Sequence, residues 1–463
     1  MTNTTSHSFK SLKLSPEILL NLESLGFHSM TPIQEEALPL ILAGSDLIAQ
    51  AKTGSGKTAA FGLGILNKLN LENKKLQSLV ICPTRELAEQ VAEEIRRLAR
   101  FTKNSRVLVI CGGASEYQQI SSLEHGAHIV VGTPGRLLKF LKKGDIKLDD
   151  LEVLVLDEAD RMLDMGFRDE MEAIASFTPI KKQSLLFSAT FPEEIESLSE
   201  IFQKNPKRVS VDSKHEKNII SQHFIAVDDH RQKSEALIRV LGHYKPESTV
   251  IFCKTKQLCA DVAKILINQG ISALAFHGDL DQNERTVVLT KFTHHSCLVL
   301  VATDVAARGL DIKDLEAVIN FDLPTDAEVY THRIGRTARA GKEGLAFSFF
   351  VESEKAKLQE IETYQNSKIE YVKLGELSKS ARFDLVAPMK TMYINGGKKD
   401  KIRPGDILGA LVGEAGIAAE FIGNISILNN QSYVAIKSDQ IELAISKLNV
   451  GKIKGRKFRV GEA

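Results

Sequence analysis

A glycine-rich stretch, residues 49–61 (AQAKTGSGKTAAF), contains the residue types that hold a phosphate group. Small residues in such a turn allow backbone N–H groups to converge on phosphate oxygens at a helix N-terminus. Lys57 can bring a positive charge to the β- and γ-phosphates of a nucleotide, and Thr58 can offer its hydroxyl to Mg²⁺. The residues of the turn are Gly54, Ser55 and Gly56.

The usual phosphate-loop pattern has glycine at the position that Ala51 occupies here. The match is therefore either accidental or a variant loop in which small size matters at this position. In a variant loop Ala51 should avoid a positive φ, because alanine tolerates the left-handed region poorly.

A second candidate site is VLVLDEAD, residues 153–160, where a hydrophobic run ends in acidic residues. Asp157, at the end of such a strand, is positioned to hold the Mg²⁺ of a nucleotide, and Glu158 can polarise an attacking water. An acidic pair at a strand end could also only solvate a turn. Its occurrence together with a phosphate loop favours nucleotide hydrolysis.

These residues must be positioned by strands that end at one edge of a sheet. Apolar runs that end in Gly, Pro, Ser, Thr or acidic residues alternate with amphipathic helices such as residues 85–101. The alternation predicts a parallel sheet covered on both faces, with ligands at the carboxyl ends of its strands. The runs are residues 78–83, 106–113, 128–134, 153–160 and 184–190.

The same alternation restarts after a polar stretch near residues 212–220, which we interpret as a linker. It predicts two α/β domains, the first over residues 1–212 and the second over residues 220–375. The apolar runs of the second domain are residues 248–255, 273–279, 297–304, 316–322 and 344–350.

A further polar segment, residues 376–388, is interpreted as a linker to a smaller module, residues 389–463. The module has the predicted order β-α-β-β-α-β, which is the split motif of many RNA-recognition modules. Its first helix should begin at Pro404 and end at Gly416, and Ser438 should cap its second helix.

The charge of the chain is distributed unevenly. Over 463 residues the net charge is only +1, and the 43% hydrophobic content is that of a globular protein. Residues 389–463, however, carry twelve lysines and arginines against seven acidic residues. A basic module on a near-neutral body suggests an anionic partner such as nucleic acid, and a solvated basic face is the alternative.

The five cysteines form no C-x-x-C pair and mostly lie in apolar runs. We therefore expect buried, reduced thiols and no zinc site. The N-terminal residues lack the apolar segment of a secretory signal, and no apolar stretch has the length of a membrane span. These features predict a cytoplasmic protein that does not enter a membrane.

The motifs AKTGSGKT and DEAD, followed by others in order up to residue 341, resemble those of the DEAD-box RNA helicases. Upstream, Phe9, the GF pair at 26–27 and TPIQ at 31–34 look like the adenine-reading segment of that family. The resemblance implies that Gln34 reads the adenine edge, because an amide offers a donor and an acceptor together, and that Phe27 stacks on the base. The implied nucleotide-binding residues are Phe27, Gln34, Thr53, Gly54, Ser55, Gly56, Lys57, Thr58, Gly309 and, on the ribose, Asp311.

The motif HRIGRTARAG at residues 332–341 also matches the family. By resemblance, Arg336 and Arg339 are arginine fingers and His332 belongs to a network between the domains. The sequence departs from the family at Ala338, where glycine is frequent. The implied catalytic residues are Lys57, Asp157, Glu158, His332, Arg336 and Arg339, and the implied Mg²⁺ ligands are Thr58 and Asp157.

Further matching motifs imply RNA contacts along both domains. They are PTREL, a Gly-Gly pair and TPGR in the first domain, and VIFCKT, HGD and ATDVAARGLD in the second. The SAT segment at 188–190 links the phosphate site to the RNA face in the family. RNA would be held by its phosphates and 2′-hydroxyls, without regard to sequence. The implied contacts are Pro83, Thr84, Arg85, Gly112, Gly113, Thr133, Gly135, Arg136, Thr255, Gly278, Gln282, Arg285 and Thr303.

The resemblance implies an α/β fold of two tandem RecA-like parallel-sheet domains followed by a small RRM-like β-α-β-β-α-β domain. The implied activity is RNA-dependent hydrolysis of ATP with Mg²⁺, coupled to local unwinding of short RNA duplexes. Binding of ATP and RNA would close the two domains and bring the arginines to the γ-phosphate. An ATP-gated RNA clamp without unwinding is the alternative. A small-molecule kinase would leave the HRIGRTAR motif without a purpose.

The whole chain resembles a bacterial subfamily whose C-terminal module targets the helicase to large-subunit ribosomal RNA. This implies action on pre-ribosomal particles during large-subunit assembly, by a protein that we expect to be a monomer. The module keeps Tyr393 and Tyr433 but has Gln431 and Ile436 at other stacking positions, so we expect its basic loops to bind RNA. Some of these basic residues could instead only keep the module soluble. The loop residues are Lys398, Lys399, Lys401, Arg403, Lys452, Lys454, Arg456 and Lys457.

Overall fold

The computed structural model describes residues 8–51, 54–190, 193–211, 220–229, 231–307, 315–338, 343–377 and 385–463. The described residues up to 211 form one compact unit, and those from 220 onward form a second. We refer to residues 8–211 as the first domain, residues 220–377 as the second domain and residues 389–463 as the C-terminal module. None of the helices in the described ranges is long and apolar enough to cross a membrane.

The first domain is built around a seven-stranded parallel sheet. Its strands are β1 (Leu47–Gln50), β2 (Ser78–Ile81), β3 (Val107–Ile110), β4 (Ile129–Gly132), β5 (Val153–Asp157), β6 (Gln183–Ser188) and β7 (Lys207–Ser210). Their order across the sheet is β3-β4-β2-β5-β6-β1-β7. The helices are α1 (Pro16–Ser24), α2 (Pro32–Leu42), α3 (Lys57–Lys68), α4 (Arg85–Leu98), α5 (Glu116–Glu124), α6 (Pro134–Lys143), α7 (Ala159–Asp164), α8 (Arg168–Ala175) and α9 (Glu193–Phe202).

The central strands β2, β4, β5 and β6 are buried at every position, because they are covered on both faces. Two apolar clusters, one on each face, form the core of the domain. The predicted parallel sheet is therefore confirmed. Strands β1 and β7 were not among the predicted runs, since β1 has three apolar residues followed by Gln50 and β7 is a mostly exposed edge strand.

The second domain repeats the strand order of the first. Its strands are β8 (Ile220–Ala226), β9 (Thr249–Phe252), β10 (Ala273–Phe276), β11 (Val299–Ala302), β12 (Ala317–Asn320), β13 (Gly344–Phe350) and β14 (Glu370–Tyr371). Its helices are α10 (Gln232–Tyr244), α11 (Lys256–Asn268), α12 (Gln282–Thr293), α13 (Asp304–Ala307), α14 (Ala327–Ile334) and α15 (Lys355–Gln365). The sheet order is β10-β11-β9-β12-β13-β8-β14, so each sheet reads 3-4-2-5-6-1-7 from its own first strand.

The C-terminal module has the predicted β-α-β-β-α-β order. Its elements are β15 (Met389–Ile394), α16 (Pro404–Gly413), β16 (Ile422–Ile427), β17 (Ser432–Lys437), α17 (Ile441–Val450) and β18 (Val460–Glu462). The antiparallel sheet has the order β16-β17-β15-β18, and both helices pack on one of its faces.

Two predicted helix boundaries in the module are wrong. The first helix ends at Gly413, and Gly416 instead has a φ of +71° in the turn beyond it. The second helix has Gln440 rather than Ser438 at its N-cap. The hydroxyl of Ser438 donates to the carbonyl of Ala387, 3.0 Å away, so a contact with the preceding segment replaces the cap.

The other face of the module's sheet packs on the second domain. His294 Nε2, after α12, lies 2.8 Å from Ser426 Oγ, and Ser296 Oγ lies 2.7 Å from Thr391 Oγ1. Asn424 donates its amide to the carbonyl of Thr293, 3.0 Å away. Tyr433, on the same face of the sheet, is only 2% exposed. In an RRM this face stacks RNA bases, and here it is largely covered, with Tyr433 buried and Tyr393 partly exposed.

The described ends of the predicted linker also belong to this packing. Leu377, Leu385 and Ala387 are buried in the core of the second domain. Ser272 donates its backbone N–H to the carbonyl of Leu385 and accepts the N–H of Ala387 on its hydroxyl. The chain that enters the module is thus attached to the second domain immediately before β15.

Candidate nucleotide and RNA sites

The phosphate loop connects β1 to α3, which begins at Lys57. Gly56 is its N-cap with a φ of +98°, and Gly54 has a φ of +86°, so both use a conformation that favours glycine. Ala51 is buried and does not have a positive φ, as expected for a variant loop. Thr53, which the resemblance also assigns to this site, lies outside the described residues.

Gln34 joins the predicted adenine segment to the phosphate loop. Its side-chain oxygen accepts the N–H of Thr31 at the start of α2, and its amide donates to the carbonyl of Gly56 at 3.1 Å. A Cβ on Gly56 would lie 2.5 Å from Gln34 Nε2, so only glycine fits there. A contact of Gln34 with adenine would therefore act directly on the loop that holds the phosphates.

Phe27 is half-buried and has an aromatic and a cationic neighbour. Its ring makes an edge contact with Phe9, with ring centroids 6.2 Å apart, and the Arg97 guanidinium lies 5.5 Å from its centroid. These contacts hold the ring in place, as the predicted stacking on a base requires.

Asp157 ends β5 and is 3% exposed. Burial raises the pKa of Asp157 to about 7, against the lowering effect of Lys57 and with a further increase from Glu158. Its Oδ1 has no hydrogen-bond partner among the described residues, and neither has Ser55 Oγ. A buried carboxylate oxygen without a partner suits a hard cation, so the residues present fit Mg²⁺.

The other two members of the nucleotide site lie nearby on their elements. Lys57 is buried and donates to the carbonyl of Ala51 at 2.8 Å. Thr58 follows in the first turn of α3. The loop thus holds the lysine folded back on its own strand end, ready to exchange one oxygen acceptor for a phosphate oxygen.

Glu158 is held in a conformation that glutamate rarely adopts. Its φ of +53° and ψ of +53° lie in the left-handed region, and its carboxylate makes a buried ion pair of 2.9 Å with Arg161. Such strain of about 1–3 kcal/mol is concentrated at functional sites. Arg161 was missed by the sequence analysis, because an arginine one turn into a helix usually extends into solvent.

Asp160 was also missed as a functional residue, although it belongs to the DEAD motif. One of its carboxylate oxygens accepts the backbone N–H groups of Ala189 and Thr190, at 3.0 and 3.1 Å. Gln50, at the end of β1, donates to the carbonyl of Ala189. These bonds fix the SAT segment beside the carboxylates, as the family resemblance requires of it.

The RNA candidates occupy equivalent positions in the two domains. In the first sheet the third residues of β3, β4 and β2 pair with one another, and in the second sheet the third residues of β10, β11 and β9 do the same. Residues that follow equivalent strands by the same number of positions can therefore be matched between the domains. The matched pairs are Thr84 with Thr255, Gly112 with Gly278, and Thr133 with Thr303. The structure therefore brings each set of three together at the carboxyl edge of its own sheet.

Thr84 and Thr255 are helix N-caps, whose hydroxyls accept a backbone N–H of α4 and α11. A Cβ added to Gly112 or Gly278 would meet nothing within 4 Å, so both backbones are open to a ligand. Pro83 and Gly113 lie in the loops after β2 and β3, Gly135 is the second residue of α6, and Gln282 begins α12 in the second domain.

Each domain has an RNA-candidate arginine that donates to a neighbouring segment beyond its own helix. Arg136, in α6, donates to the side chain of Gln119 in α5 at 3.4 Å. In the second domain Arg285, in α12, donates to the carbonyl of Ala306 at 3.4 Å. Arg85 is bound to Glu89 and lies 3.5 Å from the carbonyl of Gly112.

The predicted arginine-finger motif begins in the last turn of α14 and continues beyond it. Arg336 is 7% exposed, and His332 lies in the last turn of α14. Ala338, where the family often has glycine, has a φ of +55°, which explains that preference. Arg339, Gly309 and Asp311 lie outside the described residues.

The eight basic residues predicted to bind RNA are all exposed and lie on two loops of the C-terminal module. Lys454 joins the loops, since its amine donates to the carbonyl of Lys401 at 2.7 Å and lies 3.2 Å from Asp406. We call the surface formed by Lys398, Lys399, Lys401, Arg403, Lys452, Lys454, Arg456 and Lys457 the basic ridge. Because it contacts Asp406, Lys454 serves to hold the ridge together.

Three family models match the chain in the order that the fold predicts. The DEAD/DEAH box helicase model matches residues 31–198, and the helicase conserved C-terminal domain model matches residues 232–341. The DbpA RNA binding domain model matches residues 391–462.

Similar proteins cover nearly the whole chain. ATP-dependent RNA helicase DbpA of Escherichia coli K12 is 49% identical over 447 residues, 96% of this chain and 97% of that protein. The protein of the same name from Bacillus subtilis 168 is 37% identical over 98% of this chain and 99% of its own length. Among solved structures, S. cerevisiae Dbp5 bound to RNA and ADP BeF3 has a TM-score of 0.73 at 32% identity, covering 80% of this chain and 96% of that one.

The chain therefore belongs to the DEAD-box ATP-dependent RNA helicases. The RecA-like fold of its two parallel-sheet domains and its class of activity, RNA-dependent ATP hydrolysis, follow from this membership. The resemblance to the bacterial DbpA subfamily is confirmed as well, and it includes the C-terminal module.

Proposed function

We propose that this helicase opens short RNA duplexes locally and is directed by its C-terminal module to large-subunit ribosomal RNA during assembly of the large ribosomal subunit. The observation that carries the proposal is the exposed basic ridge on a module whose sheet face is covered. A covered sheet leaves the loops as the surface for RNA, and lysine and arginine bind its phosphates. The match of residues 391–462 to an RNA binding domain supports RNA as the ligand.

In the proposed ATP site, the glycine-rich turn and Lys57 bind the triphosphate, while Gln34 and Phe27 bind the adenine. Thr58 and Asp157 would hold Mg²⁺, which offsets the negative charge of the phosphates when bound. Glu158 accepts a hydrogen bond from the attacking water and orients it. The contributors from the second domain are Gly309, Asp311, His332, Arg336 and Arg339.

The RNA strand is proposed to run along the carboxyl edges of the sheets. Helix N-termini at Thr84 and Thr255 and the open glycine backbones present N–H groups, which bind phosphates without reading bases. The first and second domains, which we call the motor, would therefore accept any RNA, and preference for ribosomal RNA would come from the basic ridge. This division of tasks can be tested by changing the two surfaces separately.

The ridge is tested by a Lys399→Glu/Lys452→Glu double variant, with Lys447→Glu/Lys390→Glu as the matched control. The control also reverses the charge of two exposed lysines of the module, but outside the ridge. Binding to a large-subunit ribosomal RNA fragment and to an unrelated RNA of equal length is measured across a salt series. We expect the ridge variant to lose its preference and to reduce the salt slope by about one per lost phosphate contact.

Equal loss of preference in the control variant would contradict the assignment of the ridge. Crosslinking in cells, followed by sequencing of the bound RNA, then shows whether large-subunit ribosomal RNA is the target. Duplex separation and ATP turnover should be measured on the same fragment. Turnover without strand release would replace the proposed unwinding by an ATP-gated clamp.

A further inference from the structure

A buried lysine of the second domain occupies the position of the phosphate-loop lysine. The strand pairing shows that Leu47 of β1 and His223 of β8 are equivalent positions in the two sheets. Leu47 pairs with the third residue of β5 through β6, and His223 pairs with the third residue of β12 through β13. Lys57 comes ten residues after Leu47, and Lys233 comes ten residues after His223; each lies in the helix that follows its strand. By the same comparison across β5 and β12, Asp322 corresponds to Glu158.

The second domain differs from the first because its lysine forms an ion pair within the domain. Lys233 is 0% exposed, and its amine lies 3.0 Å from Asp322 Oδ1. Glu354 lies 3.9 Å from the same amine, and the Phe321 ring centroid lies 5.9 Å away. Lys57 instead donates to a carbonyl. The position that holds phosphate in the first domain is thus closed by an ion pair.

The pair is the first part of a buried polar chain that reaches the HRIGRTAR motif. Asp322 Oδ2 accepts the backbone N–H of Lys254 at 3.0 Å, and its carbonyl accepts Arg333 Nη1 at 2.8 Å. Arg333 forms two hydrogen bonds of 2.7 Å with the carboxylate of Asp304. The guanidinium also donates to Asn320 Oδ1 at 2.8 Å.

We infer that Lys233 is a positioning residue for ATP turnover, which acts through Asp322 and Arg333 to fix the end of α14 and hence Arg336. Arg333 precedes Arg336 by three residues, and Gly335 ends the helix between them. The inference rests on the proposed role of Arg336 at the γ-phosphate. Lys233 itself contacts neither nucleotide nor RNA in this account.

A buried ion pair is poor evidence for a purely stabilising role. Removing two charges from water is costly, and well-packed apolar residues often stabilise a core as well or better. A bidentate arginine, in contrast, fixes direction as well as distance. The chain of bonds from Lys233 to Arg333 therefore has the geometry of a positioning device, since it sets the orientation of one helix end.

The test is the Lys233→Met variant, which keeps an unbranched side chain only one atom shorter and removes its charge. Leu237→Ala, in the apolar core one turn further along α10, is the matched control for destabilisation of the same helix. All assays are run well below the unfolding midpoints of both variants. We expect Lys233→Met to lower kcat of RNA-stimulated ATP hydrolysis about tenfold, with KM for ATP changed less than about twofold. Leu237→Ala should leave kcat near the wild-type value.

A double-variant cycle with Asp304→Asn adds a readout that a structural role would not move. If both residues act through Arg333, the combined loss in kcat should be clearly smaller than the product of the single losses. Wild-type kcat in folded Lys233→Met, equal losses in the two α10 variants, or a fully multiplicative cycle would each overturn the inference.

Arg336→Lys separates this inference from the function on which it rests. A normal kcat in Arg336→Lys means that the proposed role of Arg336 is wrong, whatever Lys233→Met does. A large loss in Arg336→Lys together with a normal kcat in Lys233→Met means that only the positioning role of Lys233 is wrong.

Discussion

The two RecA-like domains have the same strand order but differ in whether a buried carboxylate near the end of a central strand has hydrogen-bond partners. In the first domain Asp157 has a buried oxygen with no partner among the described residues, and burial raises its pKa to about 7. In the second, Asp322 bonds to Lys233, to a backbone N–H and, through its carbonyl, to Arg333. On one scaffold, the unsatisfied carboxylate marks a ligand site and the satisfied one forms an internal support.

The carboxyl edges of the two sheets, where RNA is proposed to bind, differ much less in their residues. The threonine and glycine positions recur, and each domain has an arginine that donates to a neighbouring segment, Arg136 from α6 and Arg285 from α12. The surface proposed to bind RNA has the same residue types in both domains, whereas the position proposed to hold phosphate in the first domain is occupied by an ion pair in the second. Equivalent positions therefore show which parts of a repeated fold have the same task.

Glu158→Gln should have the largest effect on this comparison. If Glu158 orients the attacking water as proposed, loss of its carboxylate should lower kcat about 10³-fold, or about 4 kcal/mol, while ATP and RNA binding persist. Asp322→Asn, at the equivalent position of the second domain, serves as the control and should cost only about tenfold. Single-turnover hydrolysis measures both, and undiminished turnover in Glu158→Gln would exclude its role.

Neutralising the two carboxylates should change stability in opposite directions. The pKa of Asp157 is raised from its unfolded value of 3.8 to about 7, so the stability of the ATP-free domain falls as pH rises from about 3.8 to 7 and levels off above that. At pH 8, Asp157→Asn should stabilise the protein by about 1–2 kcal/mol, whereas Asp322→Asn should destabilise it by about 3 kcal/mol. Denaturant unfolding without nucleotide measures both, and changes of the same sign would refute the distinction.

A buried histidine extends the comparison to the contact between the second domain and the C-terminal module. Burial lowers the pKa of His294 from 6.5 to about 4, and its Nδ1 has no partner among the described residues. Below pH 6.5 an undocked, solvated His294 binds a proton that the docked form resists. Docking should therefore weaken by about 1.4 kcal/mol per pH unit between 6.5 and 4.

Hydrogen exchange of β15 and β16 between pH 7.5 and 5, corrected for the intrinsic rate, measures this weakening. His294→Gln keeps a hydrogen-bonding group near Ser426 and cannot be protonated, so its docking should be insensitive to pH. A wild-type response as flat as that of the variant would show that this histidine does not control docking.

Ala338→Gly should have the smallest effect. Relief of a φ of +55° should stabilise the second domain by about 1 kcal/mol, reduced by the greater entropy of glycine in the unfolded chain. Asn366→Gly is the control at a φ of +50°, where asparagine already tolerates the left-handed region. Thermal unfolding should show a larger gain at 338 than at 366, and the reverse order would argue against strain at Ala338.

The sequence predicted what local patterns can specify. Apolar runs indicated the central strands, and motif residues such as Gln34 and Asp157 lie where strand ends and helix starts predicted them. Lys233 could not be found in this way, because a single lysine in an amphipathic helix usually lies in solvent. Its burial depends on Asp322, 89 residues later, and only the folded sheet brings the two together.

The C-terminal module shows the same limit. Its residues argued against base stacking on the sheet, but nothing local indicated that the segment around His294 covers that face. The Ser438 cap failed for a related reason, because a preceding carbonyl competed for the hydroxyl. Distant contacts override local preference where two elements meet.

The packing of the module's sheet on the second domain also fixes the distance between the basic ridge and the carboxyl edge of that domain's sheet. Since β15 and β16 are bonded to the second domain, the basic ridge lies at a set spacing from the carboxyl edge of β9, β10 and β11, where RNA is proposed to bind. RNA held by the ridge would then present to the motor only those duplexes that lie at one distance and direction from the bound element. Geometry, rather than base sequence, would decide which helix of a large RNA is opened.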